Sequence, residues 1–170
     1  KVDLSFLRAK LWAVGAAAVA VAIFASVSAY ANMYRLRKAE KVRVIGARHS
    51  FSDIDDTTGD LISLDKMDNS IAIDHERRTV TVNAGITYLE LCPQLHQAGY
   101  ALHNLASLLH VTVIGACMTA THGSGDALGN LATAVSGLEM VTADGSVVKL
   151  SRQQDGDRFN GAVVALGALG

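Results

Sequence analysis

The sequence predicts an α+β domain of short mixed sheets with flanking helices, and three observations carry that prediction. Two pairs of β-patterned segments are each joined by a short polar connection, which calls for antiparallel pairing. Single helical patterns lie between and after these pairs and do not alternate regularly with strands. No G-x-G-x-x-G follows a strand pattern, so a doubly wound dinucleotide fold is excluded.

The elements follow in order. Val42–Ile45 is an apolar strand pattern that stops at Gly46. An aspartate-rich loop (Asp53, Asp55, Asp56, Asp60) leads to a second strand over Leu61–Leu64. Ile71–Asp74 and Thr79–Val82 alternate around the polar connection His75–Arg78 and read as a hairpin. Thr87-x-x-Glu90 is a capping box opening a helix with Tyr88, Leu91, Leu95 and Ala98 along one face, which stops at Gly99. Pro93 inside that helix should bend it or limit its first turn. Leu138–Thr142 and Ser146–Leu150 flank Asp144-Gly145, a second hairpin. The small-residue run Phe159–Leu169 reads as a last helix.

The 170 residues set a prior of one domain, and a half-apolar chain with a single proline has enough burial to escape disorder. A net charge of −1 excludes a polybasic nucleic-acid binder. From Thr79 to Val148 there is no lysine or arginine, and the acids are Glu90, Asp126, Glu139 and Asp144. Any anion bound by that stretch is held by backbone N–H groups and hydroxyls, not by salt bridges.

Residues 11–34 form a separate apolar segment without a charge. Its length reaches the ~20 residues needed to cross a bilayer. Arg35, Arg37, Lys38, Lys41 and Arg43 follow it, so an anchor would hold the carboxyl side in the cytoplasm. Two other readings stay open. One is a secretory signal cut after Ala31 in Ala29-Tyr30-Ala31, with export of the remainder; the other is a buried core helix in a soluble cytoplasmic chain.

Two segments carry chemistry. Gly46-Ala47-Arg48-His49-Ser50-Phe51 directly follows a strand, where a glycine lets the backbone turn and approach a ligand. Gly115 to Gly125, including Ala116, Thr119, Thr121, His122 and Gly123, follows the apolar run Val111–Ile114. Its glycines and hydroxyls make a surface of donors suited to a pyrophosphate, although a glycine-rich turn in a tight core has the same spacing. Gly123-Ser124-Gly125 lacks the spacing of a nucleophile elbow.

In this order and separation, these two segments, with Leu102-His103-Asn104-Leu105-Ala106-Ser107-Leu108 between them, resemble the flavin-binding domain of the alditol oxidases and sugar-1,4-lactone oxidases. That family belongs to the vanillyl-alcohol-oxidase superfamily, whose FAD-binding domain is of the PCMH type. Val141–Gly145 and the tail Gly161–Gly170 match as well, so the resemblance covers roughly residues 35–170. It implies an FAD-binding domain over 35–170, incomplete at both ends, with the apolar segment 1–34 in place of a first strand–helix unit and no substrate domain.

The resemblance implies roles for individual residues. His49 matches the histidine bonded covalently to the flavin 8α-methyl. Gly46, Ala47, Arg48, Ser50 and Phe51 match the loop around the FAD diphosphate and ring system. Thr112, Gly115, Ala116, Thr119, Thr121, His122 and Gly123 match the second FAD-binding segment, and Ser107 a serine on the substrate side of the flavin. Leu109 departs from the pattern, standing where proline is common. The implied activity is oxidation of the CH–OH group of a polyol or sugar lactone, with oxygen as acceptor and hydrogen peroxide as product. The alternative is a non-catalytic FAD-binding module tethered to a membrane through residues 11–34.

Neither a metal nor a nucleic-acid role is expected. His103, His110 and His122 lack short ligand spacing and read as structural or flavin-proximal. His75 and His96 lie on polar faces, and Cys92 and Cys117 read as small buried hydrophobes.

Overall fold

The computed structural model describes Ala20–Phe24 and residues 40–170. The described strands are β1 (Ala20–Phe24), β2 (Val42–Ile45), β3 (Asp60–Ser63), β4 (Ala72–Asp74), β5 (Thr79–Asn83), β6 (Gly137–Val141) and β7 (Val147–Ser151). The helices are α1 (Tyr88–Gln97), α2 (Val113–Met118) and α3 (Arg152–Val163), with a 3-10 turn over Leu131–Ala134. They form one three-stranded sheet in the order β1-β5-β4 and two two-stranded ribbons, β2-β3 and β6-β7.

Both expected hairpins form, β4 with β5 and β6 with β7, antiparallel. Glu139 and Lys149 are opposite partners across the second, and their side chains pair at 2.9 Å with the carboxylate almost wholly covered. At the turn, Gly145 takes a left-handed φ of 78°. The Asp144 carboxylate accepts from the Thr142 hydroxyl and from the N–H and hydroxyl of Ser146. Those bonds, the Thr142 hydroxyl first, hold its pKa down to about 2.

Two parallel pairings were not legible. β1 runs parallel to β5 in the register Ala20↔Thr79 to Phe24↔Asn83, and β2 runs parallel to β3. Ala20–Phe24 lies inside the apolar segment, so the helical readings of residues 11–34 are corrected there: these five residues are strand. The rest of that segment, the Ala31 cleavage reading included, lies outside the described residues. No helix among the described residues is long and apolar enough to cross a membrane. With β1 on one side and β4 on the other, β5 is a central strand whose first four residues are buried on both faces.

The core joins Val80 and Val82 of β5 to Ile86, Tyr88, Leu91 and Leu95 around α1. It continues through Val113, Ala116 and Cys117 of α2 to Leu131, Val135, Leu138, Leu150 and Phe159. The Thr87 capping box is complete: Glu90 N–H donates to Thr87 Oγ1, and the Glu90 carboxylate accepts from Thr87 N–H. Gly99 takes φ 80° just past the Ala98 cap, and the helix runs through Pro93 to Gln97. The last helical segment departs from expectation in its bounds, running over 152–163 with a break at left-handed Gly156 (φ 47°), so that a polar helical turn precedes the expected helix, which ends at Val163 and not at 169. Ser151 caps it through Gln154 N–H, so a polar exposed turn precedes the buried Phe159, Ala162 and Val163. Left-handed Leu166 and Gly167 follow its end.

Candidate functional site

The first motif occupies the crossover between the parallel strands β2 and β3, residues 46–59. Parallel neighbours need a long connection, and here that connection is the glycine-led loop itself. Arg48 holds a left-handed φ of 57°, uncommon for a residue with a side chain. Arg48, His49, Ser50 and Phe51 are exposed, Ala47 is half-buried, and Phe51 is without cover. Among the described residues, the N–H groups of 47–51 meet no acceptor in any turn, loop or cap. A left-handed residue within a run of open donors is the geometry of an anion-binding concavity.

The second motif is positioned by α1. Thr87 and Thr112, the N-caps of α1 and α2, pair across an isolated antiparallel bridge. Val113 N–H donates to Ile86 O at 3.0 Å, Tyr88 N–H to Val111 O at 3.3 Å and Leu89 N–H to Leu109 O at 2.7 Å. The two helix starts are thus tied side by side. Buried Thr112 caps α2 by accepting from Gly115 N–H at 3.3 Å.

Thr112 is also where the two motifs meet. A β-carbon on Gly46 would stand 2.6 Å from Thr112 Oγ1, and one on Gly115 would stand 2.8 Å from the same atom. The hydroxyl fills the space that both glycines leave. Two residues upstream, the His110 ring lies against that of His49, centroids 4.3 Å apart at 63°. Gly46, His49, Thr112 and Gly115 are therefore brought together.

The other expected residues lie further along. Gly115 and Ala116 fall inside α2, and their N–H groups go to Thr112 Oγ1 and Thr112 O. This narrows the donor surface expected over 115–125, because the Thr112 cap takes the Gly115 N–H and the first ladder bond takes the Ala116 N–H. At the far end of α2, the Thr119 and Thr121 hydroxyls meet at 3.1 Å, and left-handed Ala120 turns the chain out of the helix. From His122 to Ala127 the loop is exposed, and its N–H groups are open among the described residues. His122 Nδ1 lies 3.1 Å from Gly123 O. Ser107 is exposed on the 102–110 loop, and no contact joins it to the first motif among the described residues.

The floor beneath α2 is apolar and uncharged. Burial pushes the Cys117 thiol up to about 11, against a hydrogen bond with Tyr88 that lowers it. Burial, with Cys117 beside it, also holds the Tyr88 phenol well above its ordinary value. Cys92 is half-buried, and both cysteines are free. His75 and His96 are exposed, the former bonded to Tyr100 OH at 2.9 Å.

Sequence reasoning placed His110 with His103 and His122 as structural or flavin-proximal and did not pair it with His49. Its only signal is its place two residues before a helix-capping threonine.

Gly46→Ala tests the junction. The added methyl meets a hydroxyl that is buried and already capping α2, so the neighbour has little room to yield. A loss of about 1–3 kcal/mol in stability is expected, read as a lowered urea midpoint at unchanged slope. An unchanged midpoint would show that the loop moves freely away from Thr112.

The family profile described as "FAD binding domain" matches residues 18–151, beginning inside the apolar segment and taking in β1. An L-gulonolactone oxidase from Mus musculus is 44% identical over 131 residues, covering 77% of this chain and 30% of its own length. An alditol oxidase from Streptomyces sp. (strain IKD472 / FERM P-14339) is 46% identical over 126 residues, covering 73% of this chain and 30% of the relative. An L-gulono-1,4-lactone dehydrogenase from Mycobacterium tuberculosis (strain ATCC 25618 / H37Rv) is 38% identical over 134 residues, 79% of this chain and 31% of that protein. The chain thus spans about 30% of the length of the curated relatives it matches. With a profile match over most of its residues, the chain belongs to the FAD binding domain family, in the company of sugar-lactone and alditol oxidases, and its cofactor is FAD.

Proposed function

We propose that this chain is the flavin-holding part of an oxidoreductase that oxidises the CH–OH group of a polyol or sugar lactone and passes the electrons to oxygen, giving hydrogen peroxide. The contact of Gly46 with Thr112, beside the His49–His110 ring pair, carries this reading, because it joins two chain segments with open donors at one place. The open N–H groups of 47–51, with the exposed Arg48 among them, and those of 122–127, in a stretch without lysine or arginine from Thr79 to Val148, fit diphosphate oxygens. In this reading Gly46, Ala47, Arg48, Ser50, Phe51, Thr112, Gly115, Ala116, Thr119, Thr121, His122 and Gly123 line the cofactor. His49 bonds to it covalently, and Ser107 faces the substrate side. The flavin, when bound, would supply the two-electron chemistry; the protein holds and orients it.

A second reading, an FAD-holding module without turnover, is favoured by one observation. Alcohol oxidation needs a base for the hydroxyl proton, and Ser107, the one substrate-side residue here, cannot serve as that base unaided. The test is to add FAD to the purified chain, remove the excess and record the flavin bands. Xylitol, sorbitol, galactonolactone and gulonolactone are then supplied, with and without the remaining portion of an alditol oxidase fused after Gly170. Retained FAD, negligible peroxide from the chain alone and peroxide from the fusion are expected. Absence of flavin bands would refute FAD holding, and a silent fusion that binds FAD would favour the module.

A further inference from the structure

We infer that His110 is the positioning residue for His49 in covalent attachment of the flavin, a role that rests on the reading of His49 as the attachment point. The inference starts from an asymmetry between the two rings. His49 sits on a loop whose backbone donors are open, is exposed, and has no hydrogen-bond partner among the described residues. Such a side chain samples several rotamers, and fixing one opposes the reaction. His110 is exposed too, but its backbone is held. The residues on either side of it are anchored: Leu109 O accepts from Leu89 N–H at 2.7 Å and Val111 O from Tyr88 N–H at 3.3 Å. Both donors belong to the first turn of α1, which the complete capping box locks. His110 is thus a fixed post projecting from a rigid junction. The 4.3 Å centroid separation and 63° interplanar angle set the edge of one ring against the face of the other. That contact restricts the tilt of His49 and the direction of its ring nitrogens.

Direction matters for the step in question. A ring nitrogen of His49 forms a bond to the flavin 8α-carbon; a C–H proton and the ring N–H proton leave. The electron pair stays on the flavin until dioxygen takes two electrons and two protons as hydrogen peroxide. A nitrogen held in line with that carbon reacts faster than one on a freely turning ring, and misplacement of a reacting group can cost roughly 100-fold.

The experiment follows attachment in time. FAD is added to the purified flavin-free chain in air, samples are quenched in acid, and protein-bound flavin is counted after denaturation. Reversible FAD affinity is measured separately in a His49→Ala background. His110→Ala is expected to slow attachment roughly 10- to 100-fold, with reversible affinity and melting temperature unchanged. His110→Phe, which keeps a ring in place, is expected to restore most of the rate. Three results would overturn the inference: attachment at the parent rate in His110→Ala, a Phe variant as slow as the Ala variant, or an affinity loss that accounts for the slower rate. Acid-stable flavin in His49→Ala itself would instead overturn the underlying assignment of His49.

Discussion

Acid-stable flavin is expected to vanish from the His49→Ala chain, while FAD added to the native protein still binds reversibly. Contacts from backbone N–H groups and hydroxyls disappear when the chain unfolds, whereas a carbon–nitrogen bond survives. The flavin fraction that precipitates with the protein in acid should therefore fall from most of the total to background. Folding does not confound the result. His49 is exposed on a loop, and substitutions at such positions usually change stability within about ±0.5 kcal/mol. Reversible binding should persist, since the open donors of 47–51 and 122–127 are main-chain groups that alanine leaves in place. Flavin that stays with the acid-denatured variant would move the linkage to another side chain.

Phe159→Ala is expected to give the largest loss of stability, about 3–5 kcal/mol, against the 5–15 kcal/mol typical of a whole domain. The ring is fully buried where α3 meets the rest of the core. It also carries Arg152, whose guanidinium carbon lies 4.9 Å from the ring centroid. From there Arg152 donates to Ala132 O and Val135 O at 3.0 Å and to Asn160 Oδ1 at 2.7 Å, satisfying carbonyls of the 3-10 turn. Removing the ring leaves a cavity and frees the arginine that ties α3 to that turn. Urea unfolding with an unchanged slope would measure the loss, with Leu89→Ala as a control because that leucine is 58% exposed. A loss below about 1 kcal/mol would mean that the core closes over the cavity.

Much of the architecture was written locally. The α1 capping box needs only Thr87 and Glu90, three residues apart in the chain, and the β6-β7 turn needs only Asp144 and Gly145. The α+β class followed from two such hairpins. The segments 46–51 and 115–123 also stood out, because glycines after apolar segments mark close approach of backbone, and Gly46 and Gly115 both lie against Thr112. What misled was apolar composition without periodicity. Ala20–Phe24 looks like part of an Ala/Val-rich helix or membrane segment until its partner is known. Likewise, the polar run Arg152–Arg158 carries no apolar stripe, so the start of α3 was invisible until Ser151 was seen to cap it.

By itself the sequence determined the hairpins, the capped helix, the family and the cofactor, since each rests on residues close in the chain or on motifs in fixed order. Only the tertiary structure decided that β1 is the parallel neighbour of β5, because a parallel pairing across more than fifty residues leaves no local trace. It alone set Thr112 against both Gly46 and Gly115, and His110 against His49. Those contacts depend on two helix starts being tied together through Thr87 and Thr112, and residue spacing along the chain does not encode a meeting of side chains that far apart.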